Sequence, residues 1–316
     1  MTDAKSKIPV IVLTGPTGVG KTALSIKLAK ELDGEIISAD SVQVYRGLDI
    51  GSAKIKESEK EGIPHHLIDI CDADEEFNVF KFKTLCDEAI KDIYERGHYP
   101  IICGGTGFYI QSVLRDVDFK ADDSAGVVRK KYEDLYEEKG TDYLYDLLIQ
   151  KDPEAATYIH KNNVKRVIRA LEYFELNNAP ISQHNEEQRD KENVYDSLYF
   201  VLTDERSTLY DNINKRVDKM VEEGLMDEVK RLMAMKVPRS ATSMQALGYK
   251  EIYDAFLENT DMGEAIEKIK LNTRHFAKRQ LTWFRREKDV IMIDKSEFDH
   301  DEDKMLQFIL KYVKGY

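Results

Sequence analysis

Gly15-Pro16-Thr17-Gly18-Val19-Gly20-Lys21-Thr22 is the stretch of this chain whose residue types and spacing commit it most plainly to chemistry. Glycines at its first, fourth and sixth positions let successive backbone N–H groups turn inward around an anion. Lys21 adds a compact positive charge, and the Thr22 hydroxyl is placed to ligate a Mg²⁺ shared with phosphate oxygens. A G-x-x-x-x-G-K-[ST] match carries weight only between a strand and a helix. Here Val10-Ile11-Val12-Leu13 precedes it, and Leu24, Leu28 and Leu32 recur behind it on one helical face. The N-terminus of that helix turns its partial positive charge toward the anion. The eight residues therefore predict a diphosphate or triphosphate site.

Other candidates are less specific alone. Asp40 follows a short apolar strand, Glu35–Ala39, and ligands of doubly wound sheets sit beyond the carboxyl ends of strands. An acid there can bind metal, accept a proton or merely cap the turn Ser41-Val42-Gln43, and the sequence alone leaves these readings level. His65 and His66 are adjacent, so on a strand they face opposite ways and cannot share one metal. Structural or substrate-edge roles suit them better than zinc. Cys71, Cys86 and Cys103 are scattered without C-x-x-C spacing, as expected of reduced thiols with no disulfide framework.

The elements that must position these groups follow a regular order. Strand, glycine loop and helix are followed by the strand at 35–39 and by Pro64–Asp69 leading into another. A helix spans Val79 to Gly97, and the strand Pro100–Cys103 runs into a second glycine turn, Gly104-Gly105-Thr106-Gly107. Repeated strand–helix units predict an α/β fold with a parallel, P-loop NTPase-like sheet flanked by helices. The strand at 101–103 ends in Gly-Gly-Thr, where a P-loop ATPase or GTPase usually carries an aspartate for its metal water. From about residue 120 the pattern becomes purely helical, with segments at Val127–Glu138, Tyr143–Gln150 and Asn163–Leu176. Pro180 and the polar run 184–196 then return the chain to a strand at Tyr199–Leu202. The expected organisation is a catalytic core of residues 1–120 and 197–316 interrupted by an all-helical insertion, 121–196. Helix is expected over Ser207–Met235, with Arg216 beside its apolar stripe, and again over Gly263–Lys288. Val290–Asp294 reads as a late strand.

Composition narrows the class. Apolar content of 42% with 34% charged residues is that of a globular protein with a full core. MTDAKSKIPV lacks the apolar run of a signal peptide, and no stretch approaches a membrane span, so a cytoplasmic monomer off the membrane is expected. A net charge of −12 argues against indiscriminate nucleic-acid binding, but the charge is uneven. Residues 270–288 carry seven Lys/Arg against one acid, mixed with His275, Phe276, Trp283 and Phe284. Basic and aromatic side chains on one helix suit a phosphate backbone with unstacked bases, although a plain amphipathic helix explains Phe276 and Phe284 equally well.

In order and spacing, GPTGVGKT, DSVQVY, PHHLID, GGTGFY, NVKRVIRALE, QALGYKE and TRHFAKRQLTWFRR resemble the bacterial tRNA dimethylallyltransferases, over residues 8–288. The resemblance implies transfer of a dimethylallyl group from its diphosphate to N6 of the adenosine 3′-adjacent to the anticodon. It places the leaving diphosphate on Gly15–Thr22, with Mg²⁺ on Thr22 and Arg216 as a further cation. Asp40 then matches the base and Thr106 the hydroxyl that orients the amine. tRNA contacts carry over to Asp40, Ser41, Val42, Gln43 and Thr106, to Arg129, and to Lys165, Arg166, Val167, Ile168 and Arg169. They carry over as well to Gln245, Ala246, Leu247, Gly248, Tyr249 and Lys250. On the long helix they fall on Arg274, His275, Phe276, Ala277, Lys278, Arg279, Gln280 and Leu281. One departure is Asn212, near which the family pattern has a second arginine, so fewer anion contacts are expected from that helix. A small-molecule kinase using ATP and an enzyme prenylating free AMP are the competing readings. The absence of a lid arginine cluster speaks against the first, and the basic helices against the second.

Overall fold

Val10-Ile11-Val12-Leu13 is apolar at every position, the mark of a strand covered on both faces. In the computed structural model, which describes residues 7–119, 126–189 and 191–315, it lies in β1 (Pro9–Thr14), near the middle of a six-stranded sheet. The other strands are β2 (Gly34–Ala39), β3 (His65–His66), β4 (Tyr99–Gly104), β5 (Asp196–Thr203) and β6 (Val290–Asp294). Their spatial order is β3-β2-β4-β1-β5-β6, and every pairing is parallel. The expected α/β sheet is present, with β3 reduced to two residues.

Register decides what the sheet can position. Thr14 of β1 pairs with Gly104 of β4, and Gly104 pairs with Ala39 of β2. Three carboxyl ends therefore finish in one row, and the residues that follow them, Gly15, Gly105 and Asp40, start three loops side by side. Alternation along the strands sends Val10, Val12, Ile37 and Ile102 into one core layer and Ile11, Leu13, Ile36 and Ile101 into the other. Helices α1 (Lys21–Leu32), α2 (Val79–Glu95) and α3 (Gly107–Leu114) come from the first half of the chain. The second half adds α8 (Arg206–Glu222), α9 (Leu225–Ala234), α10 (Tyr249–Glu258), α11 (Met262–Phe284) and α12 (Glu302–Lys314). Leu24 and Leu28 of α1 are buried as their spacing predicts, while Leu32 is half-buried.

The chain divides into two compact units, one running up to Leu114 and again from Val194, the other Arg115–Asn193. The insertion expected at 121–196 has its starting edge outside the described residues. The second unit holds α4 (Val127–Lys151), α5 (Pro153–Tyr158), α6 (Val164–Asn177) and α7 (Ile181–Arg189) around Tyr132, Leu144, Leu148, Val167 and Leu171. Asp152, 1% exposed, caps α5 through Ala155 N–H at 2.9 Å and takes the Ser182 N–H and hydroxyl at 3.0 and 2.6 Å.

Some element boundaries differ from expectation for local reasons. The polar run from 184 is partly helix, α7, because the buried Asp152 anchors its first turn although the sequence offers little apolar stripe. Helix over Ser207–Met235 is broken at Gly224, whose φ of 100° only glycine adopts readily. Helix α12 follows the acidic run with Asp301 as its cap, bonded to the N–H groups of Asp303 and Lys304.

Candidate active site

The phosphate loop is shaped by what surrounds it. At Gly15 a Cβ would lie 2.5 Å from the Leu202 carbonyl oxygen, so β5 approaches too closely for any side chain. Gly20, with φ of 92°, turns the chain into α1. Val19 is buried and packs beneath the loop, and its N–H reaches Pro16 O at 3.4 Å. Thr17, Gly18, Gly20, Lys21 and Thr22 line a pocket of about 140 Å³. Asp40, Gln43, Cys103, Gly105, Arg216 and Gln280 line it too, with apolar wall from Ile36, Ala53, Ile55, Ile68 and Phe276. Asn212, where the family pattern suggested fewer anion contacts, donates to Gly18 O at 3.5 Å.

Two half-buried cations are partly withdrawn from water here. Lys21 Nζ donates to the carbonyls of Gly15 and Pro16 at 3.0 and 2.9 Å, and burial lowers its pKa to about 8. Arg216 pushes in the same direction, while Cys103 and Asp40 oppose it. Arg216 is itself lowered by burial, with Asp40 again opposing. Burial pushes the Cys103 thiol up, which keeps it neutral and a poor nucleophile. Dehydrated cations favour an incoming anion, and the anion restores the lysine's proton affinity. Pyrophosphate affinity, taken relative to Lys21→Ala to cancel the ligand's own titration, is therefore level below pH 8. Above that it falls by about tenfold per pH unit as free Lys21 loses its proton. Calorimetry in buffers of different ionisation enthalpy should show more proton uptake on binding near pH 9 than Lys21→Ala does; no difference would contradict a depressed Lys21.

Asp40 both caps a turn and lines the pocket. Its Oδ1 accepts the N–H groups of Val42 and Gln43 at 2.8 and 3.2 Å, while the carboxylate bears on Lys21 and Arg216. Thr106 is half-buried one residue beyond the pocket-lining Gly105, and its N–H bonds Ala39 O at 3.2 Å, which stitches its turn to the residue before Asp40. Thr14 Oγ1 bonds Gly104 O at 2.6 Å and joins the loops on β1 and β4. Gln43 donates to the carbonyls of Ser52 and Ala53, both at 3.4 Å, and Arg216 reaches Ser52 O at 3.5 Å.

A residue that the sequence reading missed holds that last segment. Glu228, 0% exposed, accepts the N–H groups of Asp49, Ile50 and Gly51 between 2.9 and 3.1 Å, and the Tyr249 hydroxyl at 2.6 Å. The signal was present, since Glu228 falls in the helical stripe of Leu225, Val229 and Leu232, an acid where apolar residues belong. Of the two histidines, His66 lies 2.7 Å from Glu35 Oε2 and His65 lines the pocket. Among the described residues no three His, Cys, Asp or Glu side chains gather as a metal site. The Thr22 hydroxyl lines the pocket and is the group that could hold a Mg²⁺ beside phosphate oxygens.

The expected RNA contacts separate by exposure. Lys165, Arg166, Gln245, Lys250, His275, Phe276, Lys278 and Arg279 are exposed, and Ser41, Val42, Ala246, Leu247, Arg274 and Leu281 are half-buried. Val167, Ile168, Gly248, Tyr249, Ala277 and Gln280 are buried; the side chains of Val167, Ile168, Tyr249 and Ala277 pack in the core, and that of Gln280 bonds two loops at the pocket. Arg169 is half-buried, and both it and Arg129 pair at 3.2 Å with the buried Glu172. On α11 a groove is lined by His275, Lys278, Arg279, Thr282, Trp283 and Arg286, and Phe108 meets Trp283 edge-on at 6.2 Å. Among the described residues no helix is long and apolar enough to cross a membrane.

A Lys–Thr glycine loop on a central strand makes this a P-loop α/β protein, and the Gly-Gly-Thr end of the neighbouring strand sets it apart from the NTPases of that fold. The IPP transferase family model matches residues 43–287, and the chain belongs to that family. It is 55% identical over 302 residues to the tRNA dimethylallyltransferase of Lachnoclostridium phytofermentans, covering 95% of this chain and 96% of that one. To the Bacillus subtilis tRNA dimethylallyltransferase it is 49% identical over 289 residues, 92% and 91% of the two chains. The solved tRNA isopentenylpyrophosphate transferase of Bacillus halodurans superposes with a TM-score of 0.72 at 45% identity, over 98% of this chain and 96% of that one. A eukaryotic dimethylallyltransferase acting on tRNA gives 0.74 at 33% identity, over 91% and 74%.

Proposed function

We propose that this enzyme moves a dimethylallyl group from dimethylallyl diphosphate to N6 of the adenosine immediately 3′ of the anticodon in tRNA. The observation that carries the reading is the convergence of Lys21, Arg216 and Asp40 on one pocket with an apolar wall. The loop and its two cations take the diphosphate, and Ile36, Ile55 and Ile68 are suited to a short hydrocarbon. As the C1–O bond breaks, charge grows on the diphosphate, and cations already in place stabilise it without reorganising. The adenine N6 forms the new bond to C1 and gives up a proton, for which Asp40 is the available base. Thr106 supports the reading as the group that orients the amine, since its turn is bonded to the residue before Asp40. Mg²⁺, held by Thr22 and the phosphates, would add positive charge on the leaving group. The adenosine must leave its stack to reach this pocket, at a cost of roughly a few kcal/mol.

Incubation with radiolabelled dimethylallyl diphosphate and unmodified tRNA should label the RNA, with ATP and AMP as controls. Phosphate transfer from ATP, or labelling of AMP in preference to tRNA, would overturn the proposal. The exposed cations of each unit supply a second expectation. Lys165→Ala, Arg166→Ala and Lys278→Ala should each weaken tRNA binding and flatten its logarithmic salt dependence by ~1 unit of slope per lost phosphate contact. Three unchanged slopes would leave these residues as ordinary solvated surface.

A further inference from the structure

Helix α11 reaches the pocket with the Phe276 ring and with one amide, that of Gln280. Gln280, 7% exposed, accepts the Thr17 N–H on Oε1 at 2.9 Å and donates from Nε2 to Gly105 O at 2.9 Å. Thr17 belongs to the phosphate loop after β1, and Gly105 to the glycine turn after β4. The turn is built to receive the helix: a Cβ at Gly105 would collide with Nε2 of Gln280, and one at Gly107 with the Trp283 indole. The chemistry selects glutamine. One planar group must offer an acceptor to one loop and a donor to the other, which an ionised glutamate cannot do and a lysine cannot do. Both heteroatoms are thereby engaged, one by each loop.

We propose that Gln280 is a positioning residue that holds the phosphate loop and the Thr106 turn at a fixed spacing. It would thus set the distance between the departing diphosphate and the acceptor nitrogen, an assignment that rests on the function proposed above. The requirement is geometric: a displacement needs its reacting atoms within about 3–3.5 Å and aligned, and a misplacement of about 1 Å costs on the order of 10²-fold. A single side chain bonded to both loops governs that spacing more directly than any residue on either loop alone. The neighbouring exposed residues Phe276, Lys278 and Arg279 lie on the same helix, so whatever steadies α11 from outside also steadies both loops.

The test uses the full chain with Gln280→Leu and Gln280→Glu. At saturating tRNA and dimethylallyl diphosphate, Gln280→Leu should lower the single-turnover rate by about 10–100-fold. Its affinity for inorganic pyrophosphate should fall several-fold, and its affinity for an anticodon stem-loop should stay within about twofold. Gln280→Glu adds a readout that simple packing would not move. When protonated it regains a donor for Gly105 O, so its rate relative to wild type should rise as pH falls from about 8 to about 6. An unchanged rate per folded molecule would overturn the proposal, as would a loss cured by more tRNA or a pH-independent ratio for Gln280→Glu. Should Gln280→Leu not fold, the Gln280→Glu ratio decides alone. A wild-type enzyme that labels no tRNA would defeat the proposed function instead. The pyrophosphate arm would then still decide whether Gln280 organises the loop, equal affinity in both variants meaning that it does not.

Discussion

Asp40→Asn should bind both substrates and transfer about 10²–10⁴-fold more slowly in a single turnover, the usual worth of a positioned base. The substitution is unusually clean here because of how Asp40 is held. Its Oδ1 already accepts two N–H groups, from Val42 and Gln43, and an asparagine oxygen can keep both. The turn therefore survives, and what changes is the second carboxylate atom, from an oxygen that can take a proton to an amide nitrogen that cannot. Loss should appear at saturating substrate, where binding is no longer in play. A near wild-type rate would reduce Asp40 to its turn-capping role. A loss that disappears as tRNA is raised would make it a binding residue and place the base elsewhere.

Lys21→Ala should raise the concentration of dimethylallyl diphosphate required and slow transfer by about 10²–10³-fold, the scale of removing one preorganised charge partner from a transition state. Affinity for the anticodon stem-loop should stay near wild type. Folding stability should hold as well, because in the free protein the ammonium is a partly dehydrated charge whose contacts are the loop carbonyls of Gly15 and Pro16. Collapse of tRNA binding with diphosphate affinity intact would show that the loop has been assigned to the wrong substrate.

The parts of the site that can be read from sequence are those fixed by local spacing. The strand–loop–helix around Gly15–Thr22 is contiguous, and Asp40 and Thr106 announce themselves by following apolar strands. What cannot be read is which side chains partner each other across long separations. Glu228 reaches back to residues 49–51 and Gln280 to Thr17 and Gly105, and no local pattern encodes those bonds. Family resemblance gave whole stretches, such as 165–169 and 274–281, without dividing inward from outward positions. Helical periodicity makes that division, with Val167 and Ile168 inside and Lys165 and Arg166 outside, and Ala277 and Gln280 inside and Lys278 and Arg279 outside. Arg169 escapes even that rule, since its pairing with the buried Glu172 leaves it half-buried.

A pocket with two partly dehydrated cations favours a ligand of greater negative charge. On the proposed reaction that ligand is not the allylic substrate but the pyrophosphate it leaves behind, which has lost an ester bond and gained an ionisable oxygen. Lys21 and Arg216 are thus poised to retain the by-product more firmly than the reactant. On that reading, pyrophosphate escape would compete with bond-making for control of steady-state turnover. Free pyrophosphate left in the surroundings would then compete with the next diphosphate substrate, a dependence set by the solvation of two side chains and not by the transfer itself.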